Sequence, residues 1–282
     1  MVLSRIRVND FSKWVDHFGL SEALKNDGEG VHGLGYGKTF MEGHVFDVLP
    51  GQEFSYVFCN TSTDSGNKTL KNTVAGLNMS TMGSSIRFDH EDDEKWHGFC
   101  VNRFGFLIHA KKDDNKFYVR VYRPDETGIL QVINDVPIPN IDTDHDVVLG
   151  CYADRQFLHI LSRKSFGEVA EQVNDTSLLI DNLHHVAATS VIPGVSSEGI
   201  REIKVHDSFT ETIFYFVYED KIKSRSAIES RPVKTVFEGP TKNMVLMPHV
   251  YARLGFNDRT KKIVYALTSP EGKFELKTLI VT

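Results

Sequence analysis

Three residues near the C-terminus, His249, Tyr251 and Arg253, alternate within HVYARLGF at 249–256. In an extended strand a period of two places them on one face. A proton carrier, a hydroxyl donor and a fixed cation side by side suit an anionic or enolic small molecule. Histidines recur in runs of similar make: His109 in GFLIHAK (105–111), and His184 and His185 in HHVAATSV (184–191). If such runs line a common axis, their side chains converge although they are far apart in sequence. The expected catalytic set is therefore His249, Tyr251 and His109, with Arg253, His185 and Arg120 as ligand contacts. The competing reading is structural: polar residues on inner strands also bond one another or trapped water.

Other motifs carry less chemistry. GEGVHGLGYG (28–37) matches G-x-G-x-x-G at Gly28, Gly30 and Gly33. A dinucleotide fingerprint needs a strand before it and a helix after it, and this stretch follows a helical pattern. The acidic run FDHEDDEK (88–95) lacks the spacing and glycine of an EF-hand and reads as a solvated loop. In an extended run Asp142, Asp144 and Asp146 of DTDHD would share one face; a calcium site is the alternative there and a polar connection between blades the default reading. No P-loop, G-x-S-x-G elbow or H-E-x-x-H occurs, so no cofactor and no metal site is expected.

Composition narrows the class of partner. The chain has 282 residues, 40% hydrophobic and 25% charged, with net charge −6. No basic stripe points to nucleic acid, and no stretch reaches the roughly 18 apolar residues of a membrane span. Cys59, Cys100 and Cys151 are odd in number and far apart, which is no disulfide framework. MVLSRIRVND has no apolar run after its arginines, so a cytoplasmic location is expected. N-x-S/T sequons at Asn60, Asn67, Asn78 and Asn174 keep secretion as the minority reading.

The elements that must position these residues are mostly strands. Phe11, Trp14, Val15 and Phe18 fall at helical spacing within 10–26, after an Asp10 cap. A glycine-rich loop, 27–45, follows and is expected to cap one face. Beyond it the sequence alternates in short runs broken by Gly, Asp, Asn and Pro. KFYVRVYRPDETGILQVIND (116–135) reads as a β-hairpin, and segments starting at Glu53, Arg155, Glu211 and Thr260 share its design. Gly66, Gly128, Gly167 and Gly272 sit in four of the turns. Two copies close alike, INDV at 133–136 and VNDT at 173–176.

A further strand, rich in small residues, is expected before four of the hairpins: 105–111, 147–153, 184–191 and 249–256. A repeat of about 50 residues with three or four strands marks a β-propeller. The expectation is a single all-β domain, 1–282: a five-bladed β-propeller with a short N-terminal helix. VLSRIRV near the start would complete the last blade. A two-sheet β-sandwich is the main alternative; LHHVAAT (183–189) suggests a jelly roll, without the strand that should follow.

HHVAATSV, KFYVRVYRPDETGILQVIN and the Ile-Arg-Glu of GIREIKV (199–205) resemble the fungal fucose-specific lectin propellers. The resemblance implies sugar sites made of Arg, Glu and an aromatic, repeated between blades. The sequence departs from it: Trp14 and Trp96 lie outside the hairpins, and Arg120 has no counterpart at 159, 216 or 265. Loss of the copies suggests one axial pocket for a small apolar or enolic molecule. The leading expectation is a cofactor-independent enzyme, such as a fungal secondary-metabolism cyclase or lyase performing dehydration or a hetero-Diels–Alder cycloaddition. A sugar-binding lectin with degenerate blades and a protein-interaction propeller are the alternatives.

Overall fold

The structure is a computed structural model. It describes strand backbone from Val45 to Val281, and side chains within residues 94–241 apart from 101, 103, 126–129, 168–170, 207–210 and 229–230. The expected helix 10–26, the loop 27–45 apart from Val45, and the strand-like run near the N-terminus lie outside the described residues.

Two compact units emerge. One holds β1 (Val45–Pro50), β2 (Phe54–Ser62), β3 (Leu70–Asn78) and β4 (Ser85–Asp89), hydrogen-bonded in that order, and the sheet of β17 (Met244–Met247), β18 (Lys261–Thr268) and β19 (Phe274–Val281). The other holds three four-stranded sheets. They are β5 (Glu94–Val101), β6 (Gly105–Lys111), β7 (Lys116–Pro124) and β8 (Leu130–Asp142); then β9 (Asp146–Ala153), β10 (Phe157–Lys164), β11 (Gln172–Leu179) and β12 (Asn182–Ser196); then β13 (Glu202–Asp207), β14 (Thr212–Val217), β15 (Lys221–Ser226) and β16 (Lys234–Glu238). Consecutive strands are neighbours in every sheet. Short polar turns between apolar runs give this order, since a tight turn returns the chain to the adjacent position.

All five expected hairpins form, as β2–β3, β7–β8, β10–β11, β14–β15 and β18–β19. Their place in the sheet differs. Four occupy the second and third strands, whereas β7–β8 occupies the third and fourth. The expected preceding strands move accordingly. Residues 147–153 do lie in a first strand, β9. Residues 105–111 form β6, a second strand, and 184–191 fall in β12, the last strand of its sheet. The reason is a strand the hairpin pattern hides: β5 starts inside the acidic run, and REIKVHD supplies β13.

Within the second unit the sheets pack face to face. Phe106, Ile108, Phe117 and Val119 from one sheet meet Val148, Cys151, Leu158 and Ile160 from the next. On β6, β7 and β10 these are period-two series, and on β9 an irregularity between Val148 and Gly150 shifts the alternation by one, so the opposite faces are left for other partners. Leu149, Tyr152, Leu161 and Val173 on the second face of β9–β12 meet Ile203, Val205, Phe214 and Phe216. Fully burying one such side chain stabilises by about 1.5–3 kcal/mol. Cys100 and Cys151 are buried thiols in the first of these cores.

First strands approach most closely. A Cβ placed on Gly150 of β9 would stand 2.1 Å from the Ile203 carbonyl oxygen of β13. A Cβ on Gly98 of β5 would stand 3.3 Å from Cys151 Sγ of β9. The absence of a side chain at position 150 is therefore a packing requirement. Gly150→Ala is expected to lower stability by about 3 kcal/mol through overpacking against rigid backbone. Gly98→Ala, which meets a movable side chain, should cost clearly less. Urea unfolding of both variants measures the difference.

Candidate functional site

One face of the β5–β8 sheet packs into the core, and the other gathers polar groups. Register sets Trp96 of β5 opposite His109 of β6, and His109 opposite Tyr118 of β7. Arg120, two residues beyond Tyr118, shares that face. Its guanidinium forks onto Glu94, with Nη1 donating to Oε2 at 2.8 Å and Nη2 to Oε1. Its other edge donates to Asp135 Oδ2, from Nη2 at 2.9 Å and from Nε at 3.2 Å. The second oxygen of Asp135 accepts from His109 Nε2 at 2.8 Å. Arginine is suited to this place because its planar donors engage two carboxylates at once.

Burial and charge decide the states of these groups. Burial pulls the Arg120 guanidinium down, but its bonds to Glu94 and Asp135 prevail and hold it above its ordinary value. Burial pushes the Asp135 carboxyl up, and the bonds from His109 and Arg120 overcome that, leaving it below the usual range. His109 is 0% exposed; with Nε2 on a carboxylate, its Nδ1 makes no hydrogen bond and lies 3.9 Å from Glu94. Tyr118 stacks on His109, carries Lys111 4.5 Å over its ring and donates its hydroxyl to Asp114. That hydrogen bond raises the phenol, with burial and the Asp114 charge adding to it. Burial likewise pushes Tyr122 up to about 12.

The next sheet repeats part of this design. His159 of β10 stacks on Tyr152 of β9, centroids 4.2 Å apart and planes 5° from parallel. Its Nδ1 lies 3.0 Å from Asp175 Oδ1 and 3.1 Å from Ser177 Oγ, and its Nε2 lies 3.5 Å from Asp154. Tyr152 also donates to Asp175, at 3.2 Å. Burial alone would lower the His159 imidazolium; the bonds and charges of Asp175 and Asp154 outweigh it and raise it. Serine and aspartate crowd the same ring nitrogen, so this is no relay from a serine nucleophile through histidine to an acid, which needs opposite nitrogens.

The expected site residues separate. His109 and Arg120 come together, with Asp135 between them. His184 and His185 are exposed on β12. His249, Tyr251 and Arg253 lie outside the described residues. Asp142 accepts from the amides of Asp144 and His145 at 3.0 and 2.8 Å, and Asp146 pairs with Lys164 at 2.8 Å, so both serve the turn and its flanking strand. Among the described residues no group of three or more His, Cys, Asp or Glu side chains is arranged to hold a metal ion. No helix among them is long and apolar enough to cross a membrane.

Sequence reasoning missed Glu94, Asp135, Asp175 and Tyr152. The signal for two of them was present. Asp135 and Asp175 hold the same place in the paired closings INDV and VNDT, and position 159 is the counterpart of 120. What the two copies share is a cation on the first hairpin strand facing that aspartate.

Neither a protein-family model nor a curated protein matches the sequence. Solved structures do. The chain is similar to a GH43 β-1,3-galactosidase, BT0265, at TM-score 0.51 and 9% identity, over 86% of this chain and 60% of that one. A GH43_1 enzyme from Xanthomonas citri matches at 0.52 and 12% identity, over 93% of both chains. CoXyl43, a GH43 β-xylosidase/α-arabinofuranosidase from a compost microbial metagenome solved with xylotriose, matches at 0.53 and 13%, over 92% and 94%. Likeness at such identity concerns the fold, and the fold it supports is propeller-like. It gives no support to the fucose-specific lectins in particular.

Arg120→Met should lower stability by about 3 kcal/mol or more, because it leaves two partly buried carboxylates without their cation. Chemical unfolding checks this. His159 gives a pH signature. Its folded value is raised, so its contribution is complete below the ordinary value of 6.5 and is lost as pH rises through the folded value. Wild-type stability measured upward from pH 6.5 should fall relative to His159→Gln.

Proposed function

We propose that the chain is a carbohydrate-binding propeller whose sugar contacts centre on Glu94, Arg120 and Asp135. The observation that carries this reading is the single arginine bridging two carboxylates on one sheet face, bordered by Tyr118. Fixed carboxylate and guanidinium edges suit adjacent sugar hydroxyls, and aromatic rings suit the C–H face of a pyranose. Asp135 keeps 27% of its side-chain surface in solvent, so the set is reachable. The propeller-like fold is also that of enzymes whose names state action on galactosides, xylosides and arabinofuranosides. The five sheets among the described residues support a count of five blades.

Binding is favoured over acid–base chemistry at this cluster. Glycoside hydrolysis needs one carboxyl raised so that it holds a proton near neutrality. Asp135 is lowered instead, its burial outweighed by its bonds from His109 and Arg120. Glycoside hydrolysis is the second reading, favoured by the similar structures being glycosidases. Of the three catalytic residues of the cyclase expectation, His109 has no exposed surface and is bonded to Asp135, and His249 and Tyr251 lie outside the described residues.

A glycan array followed by titration tests the reading. A neutral glycan should bind, and Tyr118→Ala should weaken it about tenfold, the range of one aromatic or hydrogen-bonded contact. Binding unchanged by Tyr118→Ala and Asp135→Asn would exclude this cluster. Release of sugar from aryl glycosides would favour the second reading.

A further inference from the structure

Two arginines face the interface between sheets β9–β12 and β13–β16 without a partner. Arg225 of β15 stands opposite Phe214 in register, and Phe214 belongs to the core shared by the two sheets. Directly opposed residues share a face, so Arg225 looks toward β9–β12, and it is only 9% exposed. Its Nη1 is fully buried with no hydrogen-bond partner, and the guanidinium makes no ion pair among the described residues. Arg163 of β10 stands opposite Val147, which packs on the same core, and its Nε is likewise buried and unbonded. A guanidinium has five N–H donors, no acceptor and a permanent charge, so it cannot be relieved by losing a proton. Leaving such a charge buried and unpaired is costly.

Strand β12 brings the two arginines to one corner. Its register with β11 passes from Asn174↔Val191 to Gln172↔Ser196, so residues 192–195 bulge out opposite Val173 alone. Gly194 in this bulge has φ 68°, and a Cβ on it would stand 3.6 Å from Arg225 Nη1. Ser162 pairs with Asn174, which sets Arg163 beside Val173 on the same stretch. Arg225 from the facing sheet and Arg163 from two strands inside the edge therefore serve one end of the interface. Lys223, opposite Phe216 and so on the Arg225 face, adds a third cation, held 5.2 Å over the Tyr218 ring.

The carboxylates nearby are absent from this corner or already engaged. β12 has no acidic residue along Asn182–Ser196. Asp175 of β11 is taken by Tyr152 and His159. Glu211, before β14, is held by Arg231, and Asp220 and Glu238 stand at the far end of β15 beside Lys221. Glu171 and Glu198 flank β11 and β12, are exposed, and form no ion pair with either arginine.

We propose that this corner binds an oxyanion, a phosphate or sulfate group, with the Arg225 fork as its principal contact and Arg163 as its second cation. Planar guanidinium donors match oxyanion oxygens, which selects such a group over chloride, and more than one positive charge selects a doubly charged group over acetate. The site is separate from Glu94, Arg120 and Asp135, which lie on the face of β5–β8 turned away from β9–β12. It stands without the carbohydrate reading.

Thermal unfolding of the full chain at constant ionic strength, in about 10 mM phosphate, sulfate or acetate against chloride, tests it. Phosphate and sulfate should raise the Tm by about 3 °C, the shift for a Kd of about 1 mM, and acetate should not. Arg225→Met should abolish the shift and, in chloride alone, should not lower the Tm, because it removes an unpaired buried charge. Arg225→Lys keeps the charge without the fork and should weaken phosphate about tenfold, as should Arg163→Gln, read by phosphorus NMR of inorganic phosphate. These two variants carry the test if Arg225→Met does not fold. Methyl phosphate bound as tightly as inorganic phosphate makes the group part of a larger ligand, and inorganic phosphate bound alone makes it a free ion; both outcomes support the site. No shift beyond chloride, an equal shift with acetate, or phosphate binding indifferent to the Arg225 substitutions would overturn it.

Discussion

Sheet β9–β12 is covered on both faces, and much else in its unit follows from that. A four-stranded antiparallel meander normally leaves one face to water. This one packs Cys151, Leu158 and Ile160 against the preceding sheet and Tyr152, Leu161 and Val173 against the following one. Two packed faces bring the first strands to within backbone contact, which is why position 150 carries no side chain: the Ile203 carbonyl oxygen already occupies that space. The outer strands β8 and β12 are freed from this crowding. They run longest, 13 and 15 residues; β12 exposes most of its side chains and β8 nearly half.

At the repeated hairpin position, polar residues survive in such a stack because their charges are matched. Arg120 and His159 sit at equivalent hairpin positions, and each meets an aspartate from a neighbouring strand, Asp135 or Asp175. Burial opposes the ionised forms of Arg120, Asp135 and His159, and the pairing outweighs it. The first pair recruits Glu94 and becomes a three-member bridge with solvent access. The second recruits Tyr152 and Ser177 and stays a packed girder between strands. One repeated motif thus yields an open three-charge bridge in one sheet and a packed contact in the next. Having matched its carboxylates with a permanent cation, the first surface is better suited to holding hydroxyls than to moving protons.

That balance bears on how a propeller-like fold relates to activity. The similar structures include enzymes that cleave glycosidic bonds, but a shared blade arrangement conveys no catalytic group. The side chains described in this chain supply ionised carboxylates and donors. They underlie the sugar-recognition site proposed at the β5–β8 face.

The sequence by itself determined the hairpins. Alternating aromatic and β-branched residues around Pro, Asp and Gly turns are local signals, and all five hairpins formed where those signals lay. It also marked Arg120 and His109, because their residue types stand out in an apolar run. It did not determine which hairpin occupies which place in a sheet. That depends on whether an extra strand such as β5 pairs ahead of β6, a non-local choice set by face-to-face packing. Nor could it reveal Glu94 as a site residue, since the same acidic run reads as a solvated loop until β5 pairs with β6. The sequence separation of 26 between Glu94 and Arg120 is closed by strand pairing. Tertiary structure decided the rest: it buried His109, turned 184–191 outward, and made a three-charge bridge from residues that the chain keeps apart.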